Sequence, residues 1–136
     1  SFKVEVLKGV HNFTATSGNT FKIALYDSDA TLGASTTAFS TSEEITNTSG
    51  TAYTSGGATL TSVTPVASST TAVCDFSDVS YSSASFTANG ALIYNSSASN
   101  VAVCAIAFGS DKTATNGTFT IQFPTADATN AIIRLA

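Results

Sequence analysis

Three apolar runs in the second half of the chain limit the fold most strongly. Residues 91–94 and 101–108 are nearly continuous apolar segments, as is typical of strands covered on both faces. Residues 117–123 alternate apolar and polar until Pro124 ends the run. The polar residues 95–100 have the composition of a hairpin turn. Together these runs predict a core centred on Leu92, Val103, Ile106, Phe119 and Ile121.

The rest of the chain carries weaker patterns of the same kind. Residues 1–9 fit either a strand or one face of a helix, and we favour a short helix. Residues 27–42 have no period and predict a long loop that Leu32 and Phe39 would anchor. Further strands are predicted at residues 19–26, 58–64, 71–76, 79–81, 85–88 and 131–135. With no repeat or linker, residues 1–136 are expected to form one all-β domain, an antiparallel β-sandwich of jelly-roll type with a short N-terminal helix.

The charge content excludes two classes of partner. Charged residues make up 10% of the chain and the formal net charge is −4, so there is no basic cluster for nucleic acid or an anionic membrane surface. No apolar run approaches the roughly 18 residues that a spanning helix needs. We therefore expect neither nucleic acid nor a membrane as partner.

No motif in the sequence predicts catalysis. Asp27 and Asp29 could offer carboxylates to Ca²⁺, but the following residues lack further oxygen ligands at the required spacing. His11 has no partner nearby in sequence with which to form a nucleophilic site. Glu43 and Glu44 are adjacent, so in a strand they would point to opposite faces and could not act as an acid/base pair. Because ionisable residues are few, we expect no enzyme activity, no metal and no cofactor. The two cysteines, Cys74 and Cys104, are expected to be reduced.

A glycine-rich stretch at residues 49–60 joins the two halves of the chain. Its glycines indicate positive-φ or closely packed backbone, and Tyr53 looks exposed. Aromatic residues in loops often anchor interfaces. We therefore select Phe39, Tyr53, Gly56 and Gly57 as candidate interface residues, and expect a symmetric homo-oligomer, a trimer or a dimer.

Several blocks, taken in order, resemble a family of small virion proteins of tailed bacteriophages that is common among marine phages. The blocks are residues 9–13, 20–26, 49–60, 73–81, 88–94 and 117–123. The most specific is Ser49-Gly50-Thr51-Ala52-Tyr53-Thr54-Ser55-Gly56-Gly57, although a glycine often stands where this chain has Ala52.

The resemblance implies a structural part of a virion, made in the host cytoplasm. Our first hypothesis is a capsid decoration (cement) protein on the capsid surface that binds and bridges the major capsid protein. The second is a head or tail fibre module whose loop at residues 27–42 meets a host receptor or glycan. A secreted carbohydrate-binding or adhesin domain is a third.

Overall fold

The fold is all-β with one short helix, as the sequence predicts. The computed structural model describes residues 1–46 and 53–136. Residues 49–52 of the glycine-rich stretch therefore lie outside the described residues. The elements in chain order are α1 (Phe2–Leu7), β1 (Phe21–Tyr26), β2 (Ala58–Thr59), β3 (Ser62–Ser68), β4 (Thr71–Phe76), β5 (Val79–Asn95), β6 (Val101–Ile121) and β7 (Ile133–Leu135).

Two antiparallel sheets make up the sandwich. The first has the strand order β2-β1-β5-β6, and the second has the order β3-β4-β7. The predicted all-β sandwich is confirmed. A jelly roll sets two sheets of four strands against each other, whereas the described residues form sheets of four and three strands. The finer jelly-roll arrangement stays a prediction.

β5 and β6 form one long hairpin, which the sequence divides into separate short strands. The hairpin has 17 residues in β5 and 21 in β6, closed by the predicted turn. Residues 109–116, predicted as a polar connection, lie instead within β6. Polar cross-strand contacts hold them: Thr87 bonds to Thr113 at 2.8 Å, and the Asn89 amide donates to Asp111 at 2.8 Å. Residues 109–116 therefore form part of an exposed, bulged strand, although their composition is typical of a loop.

The main core lies between the sheets and centres on β1. Phe21, Ile23 and Leu25 are fully buried, as alternation along the strand predicts. The Phe21 ring stacks on Phe13, with centroids 4.5 Å apart, and meets Phe76 of β4 at 5.8 Å, which joins the two sheets. The sequence analysis placed the centre of the core too close to β6. Apolar density alone does not show which strands are covered on both faces.

The five predicted core residues divide into three groups. Val103 and Ile121 are buried in the main core. Ile106 and Phe119 pack against it but remain half-buried. Leu92 is buried in a second cluster on the opposite face of the four-stranded sheet.

The predicted long loop covers this second cluster. Leu32 and Phe39 pack against it, as expected, and Phe39 stacks on Tyr94 with ring centroids 4.6 Å apart. The loop also reaches β6, where Ala38 bridges to Val101. β1 and the C-terminal part of β5, residues 91–95, are thus covered on both faces.

No helix in the described ranges combines the length and hydropathy that crossing a membrane would require.

Candidate functional site

Tyr53 is buried rather than exposed, which corrects the sequence interpretation. Its side chain is 5% exposed and packs against Tyr81 and Phe86. The hydroxyl donates to the Glu44 carboxylate at 2.6 Å and accepts from the Leu25 N–H at 3.0 Å. Burial, followed by the bond to Glu44, raises the pKa of Tyr53 well above its usual value. The ring therefore anchors its own chain to β1.

Glu44 organises the loop around Tyr53. The carboxylate is buried and accepts two further bonds, from the Ser55 hydroxyl at 2.7 Å and the Gly56 N–H at 2.6 Å. Three donors satisfy a charge that would otherwise be costly to bury. The sequence missed this role because Glu44 and its donors are brought together only by the closing of the loop.

The two candidate glycines permit close approach of the loop to β1. Gly57 has φ +74°, and a Cβ there would overlap the backbone carbonyl of Ile23. The Gly56 carbonyl accepts from the Tyr94 hydroxyl at 2.7 Å. Together with Phe39 and Tyr53, these glycines all serve contacts within the chain. A partner contact at these four positions stays a prediction.

His11 lies in a buried polar network beneath the β5–β6 turn. Its Nε2 is 3.1 Å from Glu5 Oε2, and its Nδ1 is 3.2 Å from the Asn95 amide nitrogen. The Asn95 amide also donates to Asn19, while its oxygen accepts from the Ser97 N–H. Because Asn95 presents a donor, His11 Nδ1 acts as acceptor and Nε2–H donates to Glu5. This network links α1, the residues before β1 and the β5–β6 turn.

Three carboxylates meet on the loop after β1. Asp27 and Asp29 lie with Glu43 so that one oxygen from each falls within 4.8 Å of the others. The sequence considered the aspartates but not Glu43, which the Asp27 N–H bond to the Glu43 carbonyl brings near. All three are at least partly exposed. Exposed acidic groups of this kind are common in proteins without a bound ion.

The cysteines are unbridged and weakly acidic. Cys74 and Cys104 are free. Burial raises the pKa of both thiols, that of Cys104 to about 11. Neither has the lowered pKa that marks a reactive thiol.

A groove of about 710 Å³ opens at the side of the sandwich where β6 is the last strand. We call it the edge groove. Besides the buried Ile121 and the exposed Pro124, six apolar side chains line it: Ile106, Phe108, Ala114, Phe119, Phe123 and Ile132. All six are half-buried and pack against the main core. The alternation of residues 117–123 predicted a common face for Phe119, Ile121 and Phe123. This face is open because β6 is the last strand of its sheet.

Comparisons with known protein families, curated proteins and solved structures find no match to this chain.

Proposed function

We propose that this protein is a non-enzymatic structural component of a tailed-phage virion, and that it decorates the capsid by binding the major capsid protein. The edge groove carries this proposal. It offers half-buried aromatic and aliphatic side chains at the surface, the residue types that anchor protein interfaces. The resemblance of the sequence blocks to small virion proteins supports the phage setting.

The hydrogen bonding of the buried polar side chains also suits this role. Glu44 and Asn95 are buried with several hydrogen-bond partners each, so the loops that carry them are firmly held. Many copies of such a domain could bind a capsid lattice through individually weak contacts that add up by avidity. A matching symmetry, as a trimer or dimer, would add to this effect.

Copy number in purified particles tests the proposal. Quantitative mass spectrometry should find hundreds of copies per particle, and a cryo-electron microscopy map should place them on the outer capsid surface. Tens of copies located on a tail or head fibre would favour the fibre module instead. If the protein is absent from complete, purified particles, both the decoration hypothesis and the fibre hypothesis are wrong.

A further inference from the structure

Beside the edge groove, the outer backbone edge of β6 has no partner strand in the described part of the chain. β6 ends its sheet, and among the described residues its outer edge is bridged only near Val101, by the segment around Ala38. Of the strands in residues 1–46 and 53–136, only β5 pairs with the run from Lys112 to Ile121. An edge of this kind presents N–H and C=O groups that can pair with another strand.

The edge strands of the two sheets differ greatly in length at this side of the sandwich. The four-stranded sheet ends in β6 with 21 residues, whereas the three-stranded sheet ends in β7 with three. Ile132, directly before β7, lines the groove together with Phe119 and Phe123. One additional extended segment at this side would therefore cover apolar side chains that the chain itself leaves half-exposed.

The charge of the groove limits what can fill it. Of its described lining residues, Asp111 and Lys112 alone are charged, and their charges cancel. The chain as a whole carries −4. The groove is thus an electrically neutral surface on an acidic protein, which matches an uncharged apolar segment better than a basic or acidic one.

The geometry of the groove suits an extended segment. The groove lies beside the last strand of its sheet, and its half-buried apolar side chains come from β6, from Phe123 just after it and from Ile132 before β7. A single added strand gains affinity from main-chain hydrogen bonds and specificity from pockets for alternate side chains.

We propose that the edge groove receives an uncharged, extended segment of the major capsid protein, which pairs with β6 and inserts alternate apolar side chains between Phe108 and Phe123. The inference rests on the proposed function and specifies how the partner is bound. In this arrangement β6 becomes an inner strand, and the partner's strand becomes the new edge.

Hydrogen exchange of the wild-type protein tests the inference without any substitution. Peptides covering residues 112–121 should become at least tenfold slower to exchange on decorated particles than in the free protein. Peptides covering β3, at the far edge of the other sheet, should change less than twofold. If the protein decorates particles and residues 112–121 gain no protection, strand addition is excluded while decoration stands. If it is absent from particles, both proposals fail.

A matched pair of substitutions gives a second test. Ala114→Lys places a long charged side chain in the groove, whereas Thr115→Lys places the same side chain on the exposed neighbouring position outside it. With comparable melting temperatures, Ala114→Lys should weaken binding to undecorated particles at least tenfold and Thr115→Lys less than twofold. Equal binding by the two variants would overturn the groove as the contact. Gln122→Lys, at an exposed position in the lining, replaces Ala114→Lys if that variant does not fold.

Discussion

Tyr53 and Tyr81 are neighbouring buried tyrosines whose hydroxyl groups differ in hydrogen bonding. The Tyr53 hydroxyl bridges Glu44 and the Leu25 N–H. The Tyr81 hydroxyl lies near the Ala58 backbone, but among the described residues it has no partner at the distance and angles of a proper hydrogen bond. Tyr53→Phe should therefore cost about 1–3 kcal/mol, because it leaves buried groups without partners, and Tyr81→Phe should be neutral or stabilising. Urea unfolding of both variants measures this; a larger loss for Tyr81→Phe would contradict it.

Glu43 combines backbone strain with charge crowding. It has φ +59°, which disfavours residues with a Cβ, and it lies beside Asp27 and Asp29. Glu43→Gly should raise the free energy of unfolding by about 0.5–1 kcal/mol, since relief of strain exceeds the entropy cost of glycine. Glu43→Gln removes only the charge and serves as the control. If both variants gain equally, charge rather than strain is the cause.

Gly57 and Gly109 allow the docking of β2 on β1 to be tested. Both have positive φ, +74° and +77°, but an added Cβ would overlap the Ile23 carbonyl at Gly57 and meet open space at Gly109. Gly109→Ala should cost about 1 kcal/mol for backbone strain. Gly57→Ala should cost about 2–5 kcal/mol, because β2 must also move away from β1. Thermal unfolding compares them; equal losses would mean that the close approach is unimportant.

Local patterns in the sequence predicted most elements, and what they missed depends on long-range pairing. β4 was predicted with its observed bounds, and the helix, β1 and the 95–100 turn were placed within a few residues. The strand at residues 109–116 was missed because its support comes from polar partners on β5, not from its own composition. Tyr53 was mistaken for a surface residue because its partner Glu44 follows from loop closure. The edge groove was not singled out either, because the strand order decides which apolar face stays open. The four candidate interface residues in the loops stay a prediction.

The distribution of buried tyrosines predicts loss of stability at high pH. Burial is the first cause that raises the pKa of Tyr26 and Tyr81, each to about 12. The unfolded chain releases these protons near pH 10, whereas the folded protein retains them. Between pH 10 and 12 the folded state therefore binds more protons, and stability falls as the pH rises; below pH 10 this contribution is fully present.

Circular dichroism melts across this pH range, with tyrosinate absorbance at each pH, measure the effect. The melting temperature should fall above pH 10, and tyrosinate should form together with unfolding. Tyr81→Phe should show a shallower fall. Ionisation of all four tyrosines near pH 10 in a protein that stays folded would contradict the prediction.

The long β5–β6 hairpin also has a consequence for the order of folding. Its strands are joined by a short turn, whereas β1 must find β5 from far along the chain, with Phe21 pairing to Asn95. Local contacts form early because they close small loops, so we expect the hairpin to be structured in the folding transition state and β1 to dock later. Ile23 and Ile93 are fully buried cross-strand partners, and valine at either position should cost about 0.5–1.5 kcal/mol. Stopped-flow refolding should then show Ile93→Val mainly slowing folding and Ile23→Val mainly accelerating unfolding, so that β1 would control how long the native state lasts rather than how quickly it is reached.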